Sequence, residues 1–158
     1  MSSYLVRPAV HSDVPALAVM VEAMDLDLEQ SKANIAALLK DPFHGIFVAE
    51  LDGRLVGNAA VQDRGPTIRA RRRAARLHDL FVVEEQRRSG IGRALFERAR
   101  VWAAERPDVY WMEWQASAAA VGFYARLGFT ANEHNDTEAH PFYEVATVSV
   151  AESTGSTV

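Results

Sequence analysis

Val14, Leu17, Ala18, Val21 and Met24 recur at three- and four-residue intervals, the spacing that lines one face of a helix with apolar side chains. Ser12 or Asp13 just ahead offers an N-cap, and Pro15 is tolerated in a first turn. Tyr4-Leu5-Val6-Arg7 before it is a short strand candidate, ended by Pro8, which has no N–H to give a ladder. A second helix is predicted from Ser31, as its cap, through Ile35, Leu38 and Leu39, stopping before Asp41-Pro42. The pattern then becomes strand-like. Residues 45–50 and 54–61 flank Leu51-Asp52-Gly53, and Asp-Gly between two apolar runs predicts a hairpin.

A third strand is expected from about Ala74 to Val83, and a helix from about Gly90 to Glu105 with Ile91, Leu95, Ala99 and Trp102 on one stripe. Val109 to Trp114 is a β-rich run, Ala118 to Leu127 a short helix, and Gly128 its C-cap. Two closing strands are expected near Phe129 to Asn132 and Phe142 to Val148. The order β-α-α-β-β-β-α-β-α-β-β mixes hairpins with helical connections. It predicts an α/β (α+β) fold, a mixed sheet flanked by helices.

Composition narrows the possibilities. A chain of 158 residues, 49% hydrophobic and 24% charged, suits one globular domain, expected over residues 1–150, with the small polar stretch 151–158 as a disordered tail. The net charge of -4 removes the simplest case for a nucleic-acid partner. Without cysteine there is no thiolate nucleophile or thiolate zinc site. No apolar run reaches the roughly 18 residues needed to cross a bilayer, and Met-Ser-Ser-Tyr-Leu-Val-Arg-Pro does not read as a signal peptide. The expectation is a cytoplasmic protein with no membrane partner.

The most informative stretch is the β-rich run from Leu77 leading into Arg87-Arg88-Ser89-Gly90-Ile91-Gly92-Arg93, where a helix starts at once. Free N–H groups at a helix start, a favourable dipole and glycines that allow close approach make an anion cradle, with pyrophosphate the natural guest. A Walker A string is absent, and Leu95 stands where a dinucleotide fingerprint needs its third glycine. What fits is R-x-x-G-x-G, preceded by Leu80-Phe81-Val82 and followed by Arg93-Ala94-Leu95. Downstream lies Ala120-x-x-Phe123-Tyr124-x-x-Leu127-Gly128-Phe129.

Together these segments resemble the GNAT superfamily of acyl-CoA-dependent N-acetyltransferases, with some likeness to its diamine and polyamine branch between Leu77 and Arg93 and at Glu113-Trp114. The resemblance implies acetyl-CoA as co-substrate, a small-molecule amine as acceptor and a homodimer. It assigns Leu80, Phe81, Val82, the loop Arg87, Arg88, Ser89, Gly90, Ile91, Gly92 and Arg93, and Ser117 to the coenzyme, with Val82 N–H the donor to the thioester oxygen. Ser117 replaces the asparagine usual in the family pattern, which alters that contact. Tyr124 is implied as the acid that protonates the departing thiolate. His78, followed by Asp79, stands where the family often carries a carboxylate base on its fourth strand. An imidazole suits base work near neutrality; a histidine hydrogen-bonded in the core, or one on the surface, is the alternative, and strand register decides between them.

The family's acceptor pocket borders the join of the first two helices. From Asp13 to Gln30 the chain holds five acids and neither Lys nor Arg, and Asp25 and Asp27 are the acceptor-binding candidates, suited to a cationic amine. The six arginines Arg64, Arg69, Arg71, Arg72, Arg73 and Arg76 receive no role, because Arg outnumbers Lys 15 to 2 throughout. His134, Asp136, Glu138 and His140 cluster at a spacing that fits no structural zinc site, so no metal is expected. The expected activity is acetyl transfer to a small primary amine. The alternatives are acetylation of a protein lysine or N-terminus, and a non-catalytic acyl-CoA-binding regulator.

Overall fold

The hairpin foreshadowed by Asp-Gly is the centre of the sheet. Strands β2 (His44–Leu51) and β3 (Arg54–Asp63) are joined through Asp52 and Gly53, whose φ values of 49° and 75° are the left-handed pair that a twisted hairpin turn needs. The structure, a computed structural model, describes residues 3–22, 27–68 and 71–131. The chain divides into two compact units after Ala118, and each is described by itself.

In the first unit β1 (Leu5–Pro8), β2, β3, β4 (Arg73–Val82) and β5 (Val109–Trp114) lie side by side in that order. Every neighbouring pair is antiparallel except β4 and β5, which are parallel. Parallel strands need a crossover. The crossover is the helix following β4, Ile91–Ala104, labelled α3 because α1 (Val14–Glu22) and α2 (Leu28–Lys40) precede it. Pro8, expected to end the first strand, is its last residue, opposite Phe47; β1 is an edge, where a missing N–H does no harm.

Alternation along β2 and β3 separates the two faces. Ile46, Val48 and Ala60 meet Leu17 of α1, with Met20, Ile35, Leu38 and Leu39 packed around them. On the other face lie Gly45, Phe47 and Gly57, against which α3 settles through Trp102, Arg98 and Leu95. A Cβ on Gly57 would come within 2.7 Å of the Phe81 carbonyl and 3.0 Å of Leu95, so glycine is what lets α3 lie close. Its Ile91, Leu95 and Ala99 are buried as the stripe requires, joined by Phe96 and Ala103.

Two expectations change. The cap of α2 is Asp27, whose carboxylate accepts the Glu29 N–H at 3.3 Å, and Ser31 is a buried residue inside the helix. Asp caps as well as Ser does, and half-buried Leu28 starts the apolar stripe a turn earlier than expected. Residues 129–131 form no strand, because Gly128 and Phe129 are used in ending the preceding helix. The expected strand from Phe142 to Val148, the His134–His140 cluster and the 151–158 tail lie outside the described residues.

Arg7 ties the first strand to two carboxylates. It donates to Asp13 at 2.7 and 2.9 Å and to Glu50 at 2.8 and 3.0 Å, while Asp13 also accepts the Val10 N–H at 2.8 Å. The Arg7 hydrogen bonds, and then that from Val10, hold the Asp13 carboxyl below its ordinary range against the opposing effect of burial. A carboxyl depressed in the folded state stabilises above its unfolded pKa and loses that contribution as pH falls through the folded value. The expected result is that Asp13→Asn lowers stability by about 1–3 kcal/mol near pH 7 and flattens the acid limb below about pH 5. Urea titrations of both proteins across that range measure it; parallel acid limbs contradict it.

The arginine run between Arg64 and Arg76 is largely engaged with the strands beside it. Arg73 pairs with the buried Asp63 at 3.1 Å, Arg71 with Asp108 at 3.2 Å, and Arg64 and Arg76 both approach Glu113. Arg72 lies over the Tyr110 ring.

Candidate functional site

Neighbouring residues on a regular strand point to opposite faces. His78 and Asp79 do not, because β4 carries a bulge there. Ala60 opposes Asp79 while Val61 opposes Leu77, so His78 is the extra residue. The bulge brings the two side chains together, and His78 Nδ1 lies 2.6 Å from Asp79 Oδ2. An ionised carboxylate only accepts hydrogen bonds, so this contact calls for a proton on Nδ1, which in the neutral tautomer leaves the lone pair on Nε2. This is the arrangement of a base oriented by a carboxylate. Asp79 opposes Ala60, on the face covered by α1 and α2, and the His78 side chain is 26% exposed.

At the same level β4 and β5 part. Their pairing runs from Arg73–Val109 to Leu77–Trp114, and β4 continues for five more residues to Val82. An open cleft of about 410 Å³ at the fork is lined by Arg76, Leu77, His78, Gln115, Ala116 and Ser117. Val83 N–H bonds to Val56 O on β3. Alternation therefore turns the N–H groups of Val82 and Leu80 the other way, toward the side that β5 has left.

Beyond Val82 the chain makes a tight cationic loop. Arg87 Nε donates to Val82 O at 3.1 Å, Ser89 Oγ donates to Gln86 O at 2.6 Å, and Arg88 and Gly90 take φ values of 65° and 89°. The first bond of α3 runs from Ala94 N–H to Gly90 O, so the N–H groups of Ile91, Gly92 and Arg93 have no acceptor within the helix. No side chain caps this end and no acid lies in its first turn. Arg87, Arg88 and Arg93 are exposed around it. The loop and helix start thus offer several donors and three cations to an anion.

The described part of the second unit is built on α4 (Val121–Arg126). Phe129 N–H bonds to Tyr124 O and Gly128 N–H to Ala125 O, with Gly128 at φ 91°. That is the Schellman stop, so Leu127-Gly128-Phe129 has a structural reason independent of chemistry. Tyr124 lies on the same helix. Its ring meets Phe123 edge-on at 5.0 Å, and burial pushes its phenol above the ordinary tyrosine range.

His78 and Ser117 therefore share one cleft, and Leu80, Phe81 and Val82 run from it to the Arg87–Arg93 loop. Asp25 lies outside the described residues, and exposed Asp27 is the cap of α2. Sequence reasoning missed His44, whose ring meets that of His78 edge-on at 5.5 Å. Its signal was Asp41 three residues earlier, across the turn that opens β2. Among the described residues no group of His, Cys, Asp or Glu could hold a metal ion, and no helix is long and apolar enough to cross a membrane.

The sheet forks beside a crossover helix, and the start of that helix presents free N–H donors and cations suited to an anion. The family model described as an acetyltransferase (GNAT) domain matches residues 42–131. An uncharacterized N-acetyltransferase of Archaeoglobus fulgidus is 41% identical over 69 residues, 44% of this chain and 47% of that protein. One of Mycobacterium tuberculosis is 33% identical over 120 residues, 75% of this chain and 73% of that one. Among solved structures, an aminoglycoside N-acetyltransferase in complex with CoA superposes with a TM-score of 0.77 at 17% identity, over 92% of this chain and 96% of that one. The chain belongs to the GNAT acetyltransferase family. Its matches span less than half the length of the archaeal relatives.

Proposed function

We propose that the protein transfers an acetyl group from acetyl-CoA to a small primary amine, a cationic one. The observation that carries this reading is the His78–Asp79 pair at the bulge, where β4 and β5 separate. A regulator that only bound acyl-CoA would have no use for an oriented base there. The Arg87–Arg93 loop would take the pyrophosphate, and Ser117 would border the coenzyme's path in the cleft. Asp25 and Asp27 would favour a cationic acceptor by their charge.

In this reading the amine gives one proton to solvent to become the free base and a second to His78 Nε2, directly or through one water, as its nitrogen bonds to the thioester carbon; His78 then returns its proton to solvent. Negative charge gathers on the thioester oxygen, and the Val82 N–H stabilises it as a fixed backbone donor. The C–S bond then breaks, and Tyr124 gives its proton to the thiolate and recovers one from solvent. Acetyl-CoA as co-substrate also supports a cytoplasmic location, and a symmetric dimer is the commonest form of such soluble assemblies.

A panel of primary amines, assayed for thiol release from acetyl-CoA, tests the reading. Turnover with small amines is expected; turnover confined to protein substrates overturns it. His78→Ala should lower the rate by about 100-fold or more and remove the limb of the pH–rate profile that belongs to an imidazole, while calorimetry shows acetyl-CoA binding intact. Superimposable profiles would show that His78 is not the base.

A further inference from the structure

We propose that His44 is a positioning residue for His78, and that Asp41 in turn orients His44. The inference rests on His78 acting as the base. His44 stands on the face of β2 that carries Ile46 and Val48, and its side chain is only 8% exposed. Its Nδ1 lies 2.7 Å from Asp41 Oδ2, and Asp41 is itself fixed by the Phe43 N–H at 2.8 Å. Those hydrogen bonds, the backbone one first, hold the Asp41 carboxyl below its ordinary range. Asp41 therefore stays an acceptor, and the buried ring of His44 is pinned in one orientation.

Against this fixed ring the ring of His78 packs at 5.5 Å between centroids and 73° between planes. Asp79 constrains His78 through one nitrogen, which leaves the ring free to swing about that contact. The buried edge of His44 removes that freedom. A bulged residue lacks the regular ladder that would otherwise set its side-chain direction, so a second contact matters more here than on an ordinary strand. An oriented base is worth more than a nearby one, since small displacements of reacting groups cost large factors in rate.

The test uses His44→Ala, which removes the ring, and His44→Phe, which keeps the edge-to-face contact without nitrogen. Long-range proton–nitrogen correlation spectra read the His78 tautomer directly, and thiol release from acetyl-CoA with n-butylamine reads the rate. In His44→Ala the Nδ1-protonated form of His78 should lose its dominance and the maximal rate should fall about tenfold, with KM for acetyl-CoA unchanged. His44→Phe keeps a ring but loses the Asp41 hydrogen bond, so it should restore both only in part while thermal unfolding shows stability regained; full restoration would overturn the role given to Asp41. Unchanged His78 signals in a folded His44→Ala protein overturn the proposal whatever the rate does. A His78→Ala protein as active as the original would instead overturn the base assignment.

Discussion

Replacing Tyr124 by phenylalanine should lower the maximal rate by about 100- to 10,000-fold, the range a proton donor at a reacting group contributes. The substitution keeps the ring that meets Phe123 and removes only the hydroxyl. Burial raises the phenol's pKa, so the group remains a neutral acid throughout the range in which the enzyme would work. In the proposed mechanism the thiolate of the coenzyme takes that proton. KM for acetyl-CoA should therefore stay nearly constant while kcat falls. Single-turnover mixing with acetyl-CoA and an accepted amine, followed by thiol release, separates chemistry from product release. An unchanged single-turnover rate would leave Tyr124 as a packing residue of α4.

Acetyl-CoA affinity should fall at least about a hundredfold, some 2.7 kcal/mol, in Gly92→Val. Gly92 is inside the first turn of α3, where the free N–H groups are, and a branched side chain there would stand between the backbone and a pyrophosphate. Valine is no worse than glycine for helix formation, so the fold should survive. The same change at Gly90 is a poorer test, because its φ of 89° would strain any other residue and disturb the helix start itself. Calorimetry with acetyl-CoA, alongside thermal unfolding, gives the answer. Undiminished affinity would remove the loop from the coenzyme site.

Much of the frame was legible because periodicity and turn chemistry are local. The Asp52-Gly53 hairpin, the Ile91–Leu95–Ala99 stripe and β5 lie where their residues predict them. The place of the loop was legible too, since glycines at a strand-to-helix junction mark the turn into α3. The cap of α2 was misplaced because several capping residues compete along one acidic stretch and only packing chooses among them. Register was the larger gap. Whether His78 faces the helices depends on a bulge created by how β3 and β4 align, and nothing in residues 73–82 alone encodes that offset. His44 was invisible for a related reason: it lies far from His78 in the sequence and meets it through the pairing of β2, β3 and β4 side by side.

The bulge also makes the candidate base sensitive to a different class of genetic change. Most substitutions along β4 leave the count of residues between Leu77 and Asp79 untouched, and with it the shared direction of His78 and Asp79. Deleting a single codon just to one side of His78 would take up the extra residue, restore a regular ladder and send the side chains of His78 and Asp79 to opposite faces. The chemistry is thus written partly in the reading length of the strand. Insertions and deletions, usually discounted as loop events, are the changes against which this strand has the least tolerance.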